Sequence, residues 1–292
     1  MFNKNGNMGK FFSVLITAVL ISVLSTGTAF AEITKSDYRS VVKITKKLRK
    51  LSDNNDIKGI SKYYSDNYKS FDGYNKDQIM EIFETARRLY PTSKTKEKIL
   101  KVKEENGLIK VFIDETSSTK ITIKGEEASY SENEKIAGLM TSSANYSMIY
   151  KKEDGKWLVV GDEIYDESTD IRYGDALESD FQMDAPDTIK PGTEFTVKTL
   201  LEVPKDVFAV GSIGHDKIIY PPEKYWDPYR AFNPTGVLER VMVANKDGIN
   251  EYANATFAFV KAPDNIKDGT ERAVISGMGF YVKRMNMQKD EL

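Results

Sequence analysis

The side chains best suited to hold a ligand are aromatic. Between Tyr220 and Phe232 the chain reads Tyr220-Pro-Pro-Glu-Lys-Tyr225-Trp226-Asp227-Pro-Tyr229-Arg230-Ala-Phe232. Its prolines preclude a regular helix, so a long loop is expected. Tyr225, Trp226, Tyr229 and Arg230 on such a loop have the make-up of a binding hot spot. Packing across the open edge of a sheet would use the same residues. A second group, Tyr63, Tyr68, Tyr146 and Trp157, lies in the first half of the chain. These can line a pocket for an apolar or glycan-like ligand, although their spacing suits plain core equally well. The preference for Tyr over Phe bears on the choice. A buried Tyr hydroxyl needs a partner, whereas a pocket-lining one can offer its O–H to a ligand.

Other chemistry is largely closed. The chain has no Cys, which excludes disulfides, thiolate metal sites and Cys nucleophiles. Its single His, His215, rules out a His-rich metal site. No Gly-rich phosphate loop, G-x-S-x-G elbow or H-E-x-x-H occurs, which counts against the common secreted hydrolases. An acidic run extends from Gly161 to Asp180, but without D-x-[DN]-x-[DN]-G spacing it is not a calcium loop. No metal or cofactor is therefore expected. With 42 basic and 44 acidic side chains the net charge is −2, which argues against a dedicated nucleic-acid binder.

The elements that must position these residues follow from periodicity. Tyr38, Val41, Ile44, Leu48 and Leu51 share one helical face, and Lys35, Arg39, Lys43, Lys46, Lys47 and Lys50 cover the other. That basic stripe suits anionic lipid or wall polymer, and it suits a solvated helix face equally. A short helix follows Asp56. A third starts at the Asn75-x-x-Gln78 capping box and stops at Pro91. The period then changes to two. Strands flank Asn106-Gly107, continue through Thr119–Lys124 and Leu139–Lys151, and turn at Asp154-Gly155 into Lys156–Ile164. Six or seven further strand-like runs lie beyond Phe181. The expected fold class is an α+β cone, three helices plus a curved antiparallel sheet, followed by an all-β sandwich domain.

The expected boundaries are residues 1–31 as a signal peptide, 32–168 as the first domain, 169–180 as an acidic linker, 181–287 as the sandwich and 288–292 as a tail. Lys4 and Lys10 precede an uncharged apolar run, Phe11–Leu24, and Ala29-Phe30-Ala31 supplies a cleavage site after Ala31. The run is shorter than the roughly 20 residues that span a bilayer, so contact with the membrane is expected only before cleavage. The terminal Lys289-Asp290-Glu291-Leu292 spells a retrieval signal. In a Cys-free, Lys-, Asn- and Ile-rich chain that resembles secreted proteins of low-GC Gram-positive bacteria, it is read as coincidence.

Asp56-Ile57, Tyr63-Tyr64-Ser65-Asp66-Asn67-Tyr68, Gly73-Tyr74-Asn75-Lys76-Asp77-Gln78-Ile79 and the hairpin Tyr150–Val160 resemble nuclear-transport-factor-2-like (SnoaL-like) domains. The second half resembles bacterial immunoglobulin-like modules in architecture alone. Catalytic members of the first family carry an acid or base inside the cone, where desolvation raises a carboxylate pKa. The resemblance thus implies Asp66 or Asp114 as base, with Tyr63, Tyr68 and Tyr146 as hydrogen-bond donors. By residue type alone, Asp66 can instead cap a turn and Asp114 can face solvent. Relatives often dimerise through the sheet, which leaves a homodimer open. Many do no chemistry. The leading expectation is an exported, non-catalytic binding or docking protein for an envelope protein or small ligand. The alternatives are a cyclase, isomerase or hydratase with an Asp base, and a structural envelope-assembly component.

Overall fold

The computed structural model describes residues 33–124, 135–205, 207–221, 228–261 and 274–288. The expected signal peptide, most of the tail, and Tyr225 and Trp226 lie outside them. Three helices open the described chain: α1 (Lys35–Asp53), α2 (Ile57–Ser61) and α3 (Lys76–Leu89). Each begins on a side chain that satisfies free backbone N–H groups. In α1, Thr34 Oγ1 accepts from the Asp37 N–H at 3.2 Å, and Asp37 Oδ2 accepts from the Thr34 N–H at 3.0 Å. Asn75 and Gln78 make the same reciprocal box at α3, and Asp56 caps α2 through the Gly59 N–H.

Twelve strands follow: β1 (Lys94–Glu105), β2 (Leu108–Lys124), β3 (Lys135–Glu153), β4 (Lys156–Gly174), β5 (Phe181–Asp184), β6 (Thr188–Ile189), β7 (Glu194–Leu201), β8 (Phe208–Lys217), β9 (Arg230–Ala231), β10 (Val237–Val243), β11 (Glu251–Lys261) and β12 (Val274–Met287). Asn106-Gly107 joins β1 to β2 and Asp154-Gly155 joins β3 to β4. Both residues of each turn have positive φ, as the primed hairpin turns require.

One nine-stranded sheet runs β1-β2-β3-β4-β12-β11-β8-β9, with β6 added in parallel to β12; β10-β7-β5 form a second sheet. The helices cover the face of the large sheet that carries Ile109, Val111, Ile113, Met148, Tyr150 and Val159, packing Val41, Leu48, Leu51 and Ile60 against them. Farther along, Phe195, Val197, Leu201 and Met242 of the small sheet join Ala253, Ala255, Phe257 and Phe259 of β11 in a second core.

This overturns the expected fold class. The molecule is mostly β and is not a helix-plus-curved-sheet cone followed by a separate sandwich. The cause is β4. Ser168–Gly174 pair antiparallel with Lys283–Gly277 of β12, while the same stretch pairs with β3 on its other edge. Residues 169–174 of the expected linker are therefore strand, and Asp170 is answered within it by the Arg172 guanidinium at 2.6 Å. A 3₁₀ turn, Asp175–Glu178, then lies against β12 at Gly277. A Cβ there would meet the Ala176 backbone nitrogen at 2.4 Å, so the approach requires glycine.

A buried ionic joint fastens the helical end to the last strand. Arg284, 1% exposed, places Nη2 2.6 Å from Asp72 Oδ1 in the loop between α2 and α3. Asp72 Oδ1 also accepts from Asn250 Nδ2 at 2.7 Å, and Arg284 Nε donates to Asn286 Oδ1 at 2.8 Å. Removing one partner of such a pair strands a buried charge. Arg284→Met is expected to cost about 3–5 kcal/mol in urea unfolding. Adding Asp72→Leu to it should recover much of that loss. A loss under about 1 kcal/mol for the single variant would show that the joint does not hold the two ends together.

Candidate functional site

A cavity of about 490 Å³ lies between the helices and the face of β1–β4. Leu48 of α1, Ile57 and Ile60 of α2, and Phe83 and Ala86 of α3 form its apolar side. Met140 and Met148 of β3 and Ile171 of β4 face them from the sheet. Size and lining fit the usual small-molecule site, which is concave, mainly apolar and carries a few converging polar groups.

Those polar groups come from three adjacent strands. Glu97 on β1 and Glu115 on β2 are directly opposed in the antiparallel register, which sets like charges side by side. Tyr146 on β3 donates its hydroxyl to Glu115 Oε2 at 3.1 Å. All three reach the cavity because they share a sheet face with core residues: Glu97 alternates with Ile99 and Glu115 with Ile113.

Two arginines also line the cavity, each held by another group. Arg49 Nη2 donates to Asp53 Oδ1 at 2.6 Å and to the Thr95 carbonyl at 2.7 Å. Arg87 Nη2 donates to Ser52 Oγ at 2.6 Å. Burial pushes the Glu97 carboxyl up to about 7, with the facing Glu115 adding to the rise and Arg49 opposing it. Burial raises Glu115 too, against the Tyr146 hydrogen bond and the two arginines. Burial and the neighbouring carboxylates lift the Tyr146 hydroxyl well above its ordinary value, so it remains a donor. Near neutrality the pair can thus offer an acid O–H and a carboxylate to the same ligand.

Of the described residues singled out from the sequence, the structure brings Tyr146 alone into this cavity. Tyr63 is half-buried against the helical core, and its carbonyl accepts from the Val159 N–H at 2.8 Å. Tyr68 is buried and donates its hydroxyl to Asp162, a carboxyl that burial pushes up to about 6. Trp157 donates Nε1 to Asp37 Oδ1 at 2.9 Å and so braces the start of α1.

Neither aspartate reaches the cavity. Asp66 is exposed and paired with Lys76 at 2.8 Å, a hydrogen bond that lowers its pKa. Asp114 lies one residue from the cavity-facing Glu115 and therefore on the opposite face of β2. Tyr229 is partly exposed, and Arg230 pairs at the sheet edge with Gly211 of β8, far in sequence from the cavity residues.

The raised Glu97 carboxyl has a consequence for stability. A group with a higher pKa in the folded state stabilises the fold below its unfolded value and loses that contribution as pH climbs through the folded one. Stability should therefore fall as pH rises from about 4.5 to about 7. Glu97→Gln should flatten the slope without abolishing it, because Asp162 titrates in an overlapping range. Thermal melts of both proteins from pH 4 to pH 8 would check this. Parallel curves would contradict the burial of Glu97.

No protein-family model matches the chain, and no curated protein matches it. Among solved structures, that of Bd1075 from Bdellovibrio bacteriovorus is similar at 13% identity and a TM-score of 0.34, over 45% of this chain and 42% of that one.

Proposed function

We propose that the protein is an exported, non-catalytic binding protein whose cavity takes a small amphipathic ligand. Its apolar body would lie against Leu48, Ile60, Phe83 and Met148, and a polar group would meet Glu97, Glu115 and Tyr146. The observation that carries this reading is the cavity itself, with Glu97, Glu115 and Tyr146 converging on one wall across from the apolar helix residues Leu48, Ile57, Ile60 and Phe83. Export rests on the sequence of residues 1–31, and the likeness of the N-terminal half to nuclear-transport-factor-2-like domains rests on the segments between Asp56 and Ile79 and on the hairpin Tyr150–Val160.

N-phenyl-1-naphthylamine, whose fluorescence rises in apolar surroundings, tests the binding. One saturable site is expected, lost in Ala86→Trp, which fills the cavity, and kept in Tyr229→Ala at the far sheet edge. Circular dichroism would confirm that both variants fold. Unchanged binding by folded Ala86→Trp would dismiss the proposal.

A second reading, acid–base catalysis, is favoured by one observation: two half-buried carboxyls face each other with raised pKa values. The base would be Glu97 or Glu115 rather than Asp66 or Asp114. A substrate whose turnover disappears in Glu97→Gln and Glu115→Gln while dye binding persists would establish it.

A further inference from the structure

The outward face of α1 carries Lys35, Arg39, Lys43, Lys46, Lys47 and Lys50. At 3.6 residues per turn these six cations fall within an arc of about 120°, opposite the arc that buries Val41 and Leu48. They extend over about 22 Å of helix at 1.5 Å per residue. All six are exposed. Among the described residues none of them has a carboxylate within ion-pair distance. The acidic residues of the helix are engaged elsewhere, Asp37 with Lys152 and Trp157 and Asp53 with Arg49. A chain of net charge −2 thus concentrates uncompensated positive charge along one straight edge.

We propose that this face docks on an anionic lipid bilayer. Charge complementarity is the first ground, since each Lys or Arg held near an anionic surface adds favourable energy. The second is the groove among these cations, to which Tyr38 and Val42 contribute apolar surface together with the lysine stems. Lysines that lay their methylene stems along apolar surface while the ammonium reaches outward suit the boundary between headgroups and acyl chains. A soluble polyanion would use only the charges. Among the described residues no helix is long and apolar enough to cross a membrane.

The test is vesicle co-sedimentation of the full-length chain with phosphatidylglycerol–phosphatidylcholine vesicles and with pure phosphatidylcholine. The apolar run of residues 11–24 contributes equally to both, so the difference between them reads the charge. At least tenfold tighter binding to the anionic vesicles is expected, lost in 0.5 M salt and lost in Lys43→Glu/Lys46→Glu/Lys50→Glu. Those three side chains are exposed and unpaired, and circular dichroism would check that the variant folds. Equal binding to both vesicle types would overturn the proposal, as would a folded variant that keeps the anionic preference. Retention of the chain by inorganic polyphosphate without any vesicle preference would also overturn it, and would assign the face to a soluble polyanion.

Discussion

Strand β4 is the constraint on which the remaining organisation rests. Along residues 168–173 its backbone is bonded on both edges, to β3 on one side and β12 on the other. The hairpins β1-β2 and β3-β4 carry the helical core, whereas β12, β11 and β8 carry the second core with the small sheet. Because both sets hang on one strand, neither core can move without breaking a continuous ladder. The buried Arg284–Asp72 pair repeats the connection through side chains, tying the loop ahead of α3 to the end of β12. A charge held that far from water tolerates little displacement of its partner, so the joint fixes position more than it adds stability.

Much of the N-terminal half was legible because its signals are local. The Asn75–Gln78 box, the Asn106-Gly107 and Asp154-Gly155 turns and the amphipathic face of α1 each act within a few residues, and each stands where the sequence places it. The join between the halves was not legible. From Gly161 to Asp180 the charges hide strand alternation, and nothing in a strand's own text says that its second edge will be taken by a partner more than a hundred residues later.

The cavity shows a subtler limit. Beyond the Asn-Gly turn the hairpin begins in the register Lys101↔Phe112 and Val102↔Val111. Continued without a slip, that register would set Lys98 against Glu115, an ordinary opposite-charge pair. A bulge at Leu100 moves the ladder by one residue and sets Glu97 there instead. One extra residue thus replaces an opposite-charge pair with two facing carboxyls on the cavity wall. Asp114 failed as a candidate for the same kind of reason, since with a period of two the neighbouring residue belongs to the other face. Tyr146 does line the cavity, and its hydroxyl donates to Glu115.

The shared strand bears on how such a chain arises and fails. Cutting between the halves near residue 168 would not yield two modules but two frayed remnants. One would display the bare amide edge of β3, the other that of β12, each a template awaiting a strand from some neighbouring molecule. During synthesis the open edge is that of β4, bare along residues 168–174 until β12, almost the last segment made, arrives to pair with it. Under the proposed export, passage in an extended state, with collapse only after the whole chain has emerged, would spare the protein that exposure.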